Sequence, residues 1–169
     1  MKTIRDKLIV ALMVILVAGI FGCSSGKKGE YRGFVPVSRA EAEAFAEQLV
    51  AKFKQGDKQP FFDFGTDVDA VMAYYDFSGV DVAREMNLSE QQIQSQMNMQ
   101  KNANKTLFGS LKQVELNGVK EDRLGMLCVV LDIVLNPSKN PASDRKLTIT
   151  LPLLKKKSTD EIVVATYNM

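Results

Sequence analysis

Near Lys105 the apolar residues of this 169-residue chain change their period, and that change limits the layers the chain can build. Upstream they recur at intervals of three and four, as on one face of a helix. Downstream they gather into runs rich in Val, Ile, Leu and Thr at 110–119, 124–135, 146–154 and 161–167. The turn residues Asn117-Gly118, Glu121-Asp122, Asn136-Pro137 with Asn140-Pro141, and the polar stretch 155–160 separate these runs. They predict four antiparallel strands in a meander. Helices followed by strands predict an α+β domain over 38–169, with N-terminal helices packed on a curved four-stranded antiparallel meander.

The helix signals are local and specific. Ser38 and Glu41 have the spacing of a capping box, and Ala42, Phe45, Ala46, Leu49 and Phe53 follow as one apolar stripe. Gly56 stands where a glycine ends a helix. Phe61, Phe62 and Phe64 are expected to plug a loop onto the core. Thr66 is read as the cap of a second helix with the stripe Val68, Val71, Met72 and Tyr75, and a short third helix is read from Ser78 to about Asn87. Ser89 and Gln92 form another capping box, with Leu88 and Ile93 placed as a hydrophobic staple. The helix that follows, over 90–104, is rich in Gln, Asn and Met and is expected to be mostly exposed.

Ahead of all this lies a basic start (Lys2, Arg5, Lys7), an apolar run from Leu8 to Phe21, and the junction Ile20-Phe21-Gly22-Cys23. The apolar run is shorter than the roughly 20 residues needed to span a bilayer and suits a signal peptide. The junction resembles the lipobox of bacterial lipoproteins. That resemblance implies a signal peptide over 1–22, cleavage before Cys23 and a diacylglyceryl group on its thiol. Residues 23–37 would then be the lipidated Cys and a flexible tether. The protein would sit on the cell envelope, and Ser24 after the Cys implies the outer membrane, facing the periplasm, in a Gram-negative cell.

Composition removes several kinds of chemistry. The chain contains no His and no Trp, so His-based triads, imidazole bases and His zinc sites are excluded. The leader's three basic residues against Asp6 carry the whole formal charge of +2, so the remainder is neutral and lacks the electrostatic footprint of a nucleic-acid binder. Asp63, Asp67 and Asp69 fail the calcium-loop pattern, with Val68 where glycine is required and Tyr74 where Glu is required. These Asp residues read as helix-start carboxylates. No metal, cofactor or nucleic-acid partner is expected. With Cys23 lipidated, Cys128 has no partner for a disulfide within the chain, and it reads as a small buried hydrophobe.

The long first helix ending at Gly56-Asp57, the short helices and the meander resemble nuclear-transport-factor-2-like (cystatin-like) folds, with Phe45, Leu49 and Gly56-Asp57 carrying the likeness. In the strand Met126 to Leu135, apolar on both faces, Asp132 is the one charge. The resemblance implies that, if that face lines a pocket with Cys128, Val130, Tyr74 and Tyr75, a desolvated Asp132 would be a candidate general base. The alternative is an Asp on a partly solvated stretch, or one bonded to a neighbouring backbone amide or Lys. The second sheet face needs a cover, which sheet curvature around a pocket, a homodimer or a protein partner would supply. The favoured expectation is a non-enzymatic lipoprotein domain that binds a protein or small ligand. The alternatives are a small pocket enzyme of isomerase or dehydratase type and a structural subunit of an envelope or secretion assembly. Lys155, Lys156 and Lys157 are expected to form a solvated turn.

Overall fold

A computed structural model describes residues 31–77, 79, 89–138 and 140–167, and in it the first helix starts where the capping box places it. Strand β1 (Phe34–Pro36) leads into helix α1 (Arg39–Lys54), where Ser38 and Glu41 bond reciprocally across the first turn. At the other end Gly56 takes φ +88°, and the amides of Gly56 and Asp57 donate to the carbonyls of Phe53 and Lys52. This is a glycine-dependent Schellman closure. A short helix α2 (Gln59–Phe62) buries Phe61, and Phe64 follows it into the core. Helix α3 (Val68–Phe77) is capped by Asp67, whose carboxylate accepts from the Ala70 amide at 3.0 Å. Thr66, the expected cap, instead donates to the Asp63 carbonyl. Helix α4 (Glu90–Gly109) begins with the Ser89–Gln92 capping box and runs one turn beyond its expected end. The leader, Cys23, the helix read over 78–87 and the Leu88 half of the staple lie outside the described residues.

Strands β2 (Leu111–Glu121), β3 (Leu127–Leu135), β4 (Arg145–Lys156) and β5 (Ile162–Val164) pair antiparallel in sequence order. The expected α+β meander is therefore present, curled into a half-barrel. Register irregularities in β2, at Leu111/Gln113 and Leu116/Gly118, add bend and twist to that strand. The β3–β4 ladder ends at Cys128 opposite Pro152, which has no amide to offer. Past that point β4 changes partners and pairs with both β1 and β5.

Residues 34–37, read as tether, belong to the fold. Phe34 and Val37 are buried, and β1 adds a fifth strand through Phe34–Lys156, Val35–Lys155 and Pro36–Leu154. The chain reaches β1 through a two-residue turn at Arg32 (φ 52°) and Gly33 (φ 78°), closed by two backbone bonds between Tyr31 and Phe34. Positive φ at both central residues marks a tight hairpin turn that suits strand twist.

Two cores form, one on each sheet face. On the first, Val129, Leu131, Ile133, Ile149, Leu151 and Leu153 meet Ala42, Ala46 and Leu49 of α1 together with Phe61, Phe64 and Phe108. Phe45 and Phe53 of the same stripe pack against this core half-buried, while Ala42, Ala46 and Leu49 form its innermost line. On the second face, Leu154 and Ala165 meet Phe34, Met126 and the Ala70, Ala73 and Phe77 side of α3. The second face was expected to need a pocket or a partner. One end of it is instead closed by the chain's own third described helix.

Candidate functional site

Strand alternation puts Cys128, Val130 and Asp132 on the second face, as the sequence implies. They do not form one site. Asp132 lies partly exposed between Glu115 and Thr148, its register partners on β2 and β4. Its carboxylate accepts from the Thr148 hydroxyl at 2.6 Å and from the Asn117 side-chain amide at 2.8 Å. Those two bonds favour the ionised form and hold the carboxyl below the usual carboxylate range. A base of that kind is weaker than an ordinary Asp at neutral pH. Asp132 is therefore a cross-strand surface carboxylate, the alternative that the strand's sequence offered to a desolvated base.

Cys128, Tyr74 and Tyr75 gather at the other end of the strand segment, four residues or about 13 Å from Asp132. What joins them is Asp122, in the β2–β3 connection. Its carboxylate accepts from the Tyr74 hydroxyl at 2.9 Å and from the amides of Leu124 and Met126 at 2.8 and 2.9 Å. One side chain thus fixes the turn and fastens α3 to it. Tyr75 packs edge-on against Tyr74, with ring centroids 5.6 Å apart. Burial raises the Tyr74 hydroxyl, and the neighbouring Asp122 raises it further. Burial alone pushes Tyr75 up to about 12. The Cys128 thiol is pushed up to about 12 by burial and by Asp122, and it donates to the Met126 carbonyl. A protonated, inaccessible thiol is not a nucleophile. Val130, between the two groups, is buried. The sequence marks Asp122 only as a turn residue. Its one further signal is Gly125 three positions on, which suits a side-chain-closed turn.

A second group of polar residues lies where β1 meets the β4–β5 hairpin. An open cleft of ≈ 440 Å³ there is lined by residues of β1 and its turn, of the start of α3 and of the β4–β5 hairpin, among them Arg32, Asp67, Asp69, Lys156 and Lys157. Strand alternation sends neighbouring lysines to opposite faces. Lys155 pairs with Glu41 of α1 at 2.7 Å, and Lys156 with Asp67 at the start of α3 at 2.8 Å. Both lysines make further ion pairs within the hairpin, to Asp160 and Glu161 respectively. The lysine run was read as a solvated turn. Two of its three members instead clamp one helix to each side of the sheet.

Two of the three carboxylates considered for calcium are committed elsewhere. Asp63 pairs with Lys101 and accepts from Gln59, and Asp67 caps α3 while binding Lys156. Among the described residues no helix is long and apolar enough to cross a membrane. Comparison of the chain with protein-family models, with curated proteins and with solved structures finds no match.

Proposed function

We propose that the chain is a cell-envelope protein, lipidated at Cys23, whose α+β domain acts by binding through its surface. The observation that carries this reading is the Gly22-Cys23 junction after a short apolar run with a basic start. In a Gram-negative cell, Ser24 favours the outer membrane. The position of the fold is compatible with such an anchor. Tyr31, the first described residue, lies eight positions beyond Cys23 and packs against Phe77.

Binding is favoured over catalysis because the ionisable groups once considered for chemistry have structural partners. Asp132 is tied to Thr148 and Asn117, and Tyr74 to Asp122. The helix-first order and curled meander also support the likeness to nuclear-transport-factor-2-like folds, a likeness that assigns no activity by itself.

Mass spectrometry of the membrane-extracted protein tests the reading. An acylated N-terminal peptide beginning at Cys23 is expected. A chain retaining Met1, or a Cys23→Ser variant still cleaved and membrane-bound, would overturn it.

A further inference from the structure

We infer that the free edge of β4, from Lys146 to Thr150, pairs antiparallel with the same edge of a second copy about a two-fold axis at Thr148. This rests on the reading that the domain acts through its surface, and it needs no lipid. The edge follows from the hydrogen-bond ladders. The Asn136 amide donates to the Ser110 carbonyl at 2.8 Å, so the adjacent pair Leu111–Leu135 exchanges no bonds and Leu135 turns its amide and carbonyl to β4. Alternation then gives the odd-numbered residues of β4 from Arg145 to Leu151 to β3, and turns Lys146, Thr148 and Thr150 away from it. Farther along, that outward side is taken by β5. There the Pro152 carbonyl accepts from the Ala165 amide at 3.0 Å, and the Lys156 amide donates to the Glu161 carbonyl at 2.8 Å. Among the described residues, nothing bonds the outward amides and carbonyls of Lys146, Thr148 and Thr150. The Thr148 hydroxyl is committed to Asp132, but its backbone groups are not.

The other edges of the sheet are guarded. Along β2, the Lys58 ammonium donates to the carbonyls of Gly109 and Leu111 at 3.0 and 2.6 Å, and Arg39 donates to the Val119 carbonyl at 3.1 Å. Strand β1 is short and contains Pro36. Cations, proline and shortness are the usual means of keeping an edge from pairing. The open stretch of β4 is self-complementary in one register. With Thr148 opposite its own copy, Lys146 faces Thr150 in both directions, and every outward amide and carbonyl of the three residues finds a partner. Leu147 then meets Ile149 on one face and Thr148 meets Thr148 on the other, both favourable cross-strand pairs. Moving the axis to Lys146 sets two lysines directly opposite, which is destabilising. Moving it to Thr150 drives the incoming strand into β5.

The test uses the full chain in the membranes of a bacterial host, with Thr148→Cys on the axis or Gln113→Cys on β2, under mild oxidation. Directly opposite residues of paired strands lie within disulfide reach, and an axis at 148 brings that residue against its own copy. A disulfide-linked dimer several-fold more abundant at 148 than at 113, and than in the chain without the added cysteine, is the expected result. Adding Thr150→Pro removes an outward amide and leaves the β3 ladder intact, so it should abolish the dimer while circular dichroism stays native. Equal yield at 148 and 113, or no dimer at either, overturns the pairing whether or not the proline variant folds. A dimer that persists in a folded Thr150→Pro chain, or a 148 crosslink to a different polypeptide, overturns it as well. Each of these failures leaves the Cys23 anchor standing.

Discussion

Asn104 has no solvent exposure, and its side chain joins three separated parts of the chain. Its amide nitrogen donates to the carbonyls of Phe62 and Phe64 at 3.1 and 2.8 Å, and its oxygen accepts from Gln100 and from the Tyr167 hydroxyl. Replacing it removes the partners of buried carbonyls, a loss of about 1–3 kcal/mol for each group left unsatisfied. Chemical denaturation of Asn104→Ala and Asn104→Leu should therefore show a loss of about 3 kcal/mol in both. Recovery in the Leu variant would mean that filled volume, not hydrogen bonding, holds α4 down. Glu41 makes a second residue-scale prediction. The Lys155 ammonium and the Ser38 amide and hydroxyl hold its carboxyl down at about 2, from an ordinary 4.5. The folded state thus resists protonating it, so the stability it adds is present above the ordinary value and lost as pH falls toward 2. Thermal unfolding between pH 6 and pH 2 should bring the wild type and Glu41→Gln together as the acid end is approached. A constant gap across that range would contradict the pairing.

Strand β1 is the element whose contribution is easiest to isolate. Phe34 plugs the second core between Ala70, Ala73, Phe77 and Leu154, and deletion of a buried aromatic side chain costs about 3–5 kcal/mol. A chain beginning at Ser38 should be destabilised at least as much as Phe34→Ala, whereas one beginning at Tyr31 should melt close to one beginning at Ser24. Equal melting of all three would place β1 outside the cooperative unit. The capping boxes, the glycine closure of α1 and the strand runs were legible in the sequence because each is settled within a few residues. Strand β1 was not, since three residues beside glycine and arginine carry no periodic signal. The cover given to the second sheet face was hidden for a related reason. The stripe of α3 is short, and its Ala70 and Ala73 can serve either face. Only its pairing with Phe34, Met126 and Leu154, far away in the chain, decides between them.

At the scale of the whole molecule the sheet is a wall with a helix fastened to each side, and the fastenings are long-range. Lys155 reaches Glu41 across 114 positions and Tyr74 reaches Asp122 across 48, separations at which no sequence pattern announces a partner. The same fact explains why the candidate site was only partly legible. Strand alternation placed Cys128, Val130 and Asp132 on one face correctly, but it could not reveal that Asp122 and α3 seal one end while Thr148 and Asn117 hold Asp132 outside. The closed end of the second face is the central claim, and Cys128 reports on it directly, being the one thiol left once Cys23 is lipidated or replaced by Ser. The decisive measurement is the rate at which a small alkylating reagent modifies Cys128 in the native protein, compared with the unfolded chain. The account predicts protection that tracks global stability and disappears only across the unfolding transition. Alkylation near the unfolded rate, in protein whose circular dichroism remains native, would contradict it and restore an open pocket on that face.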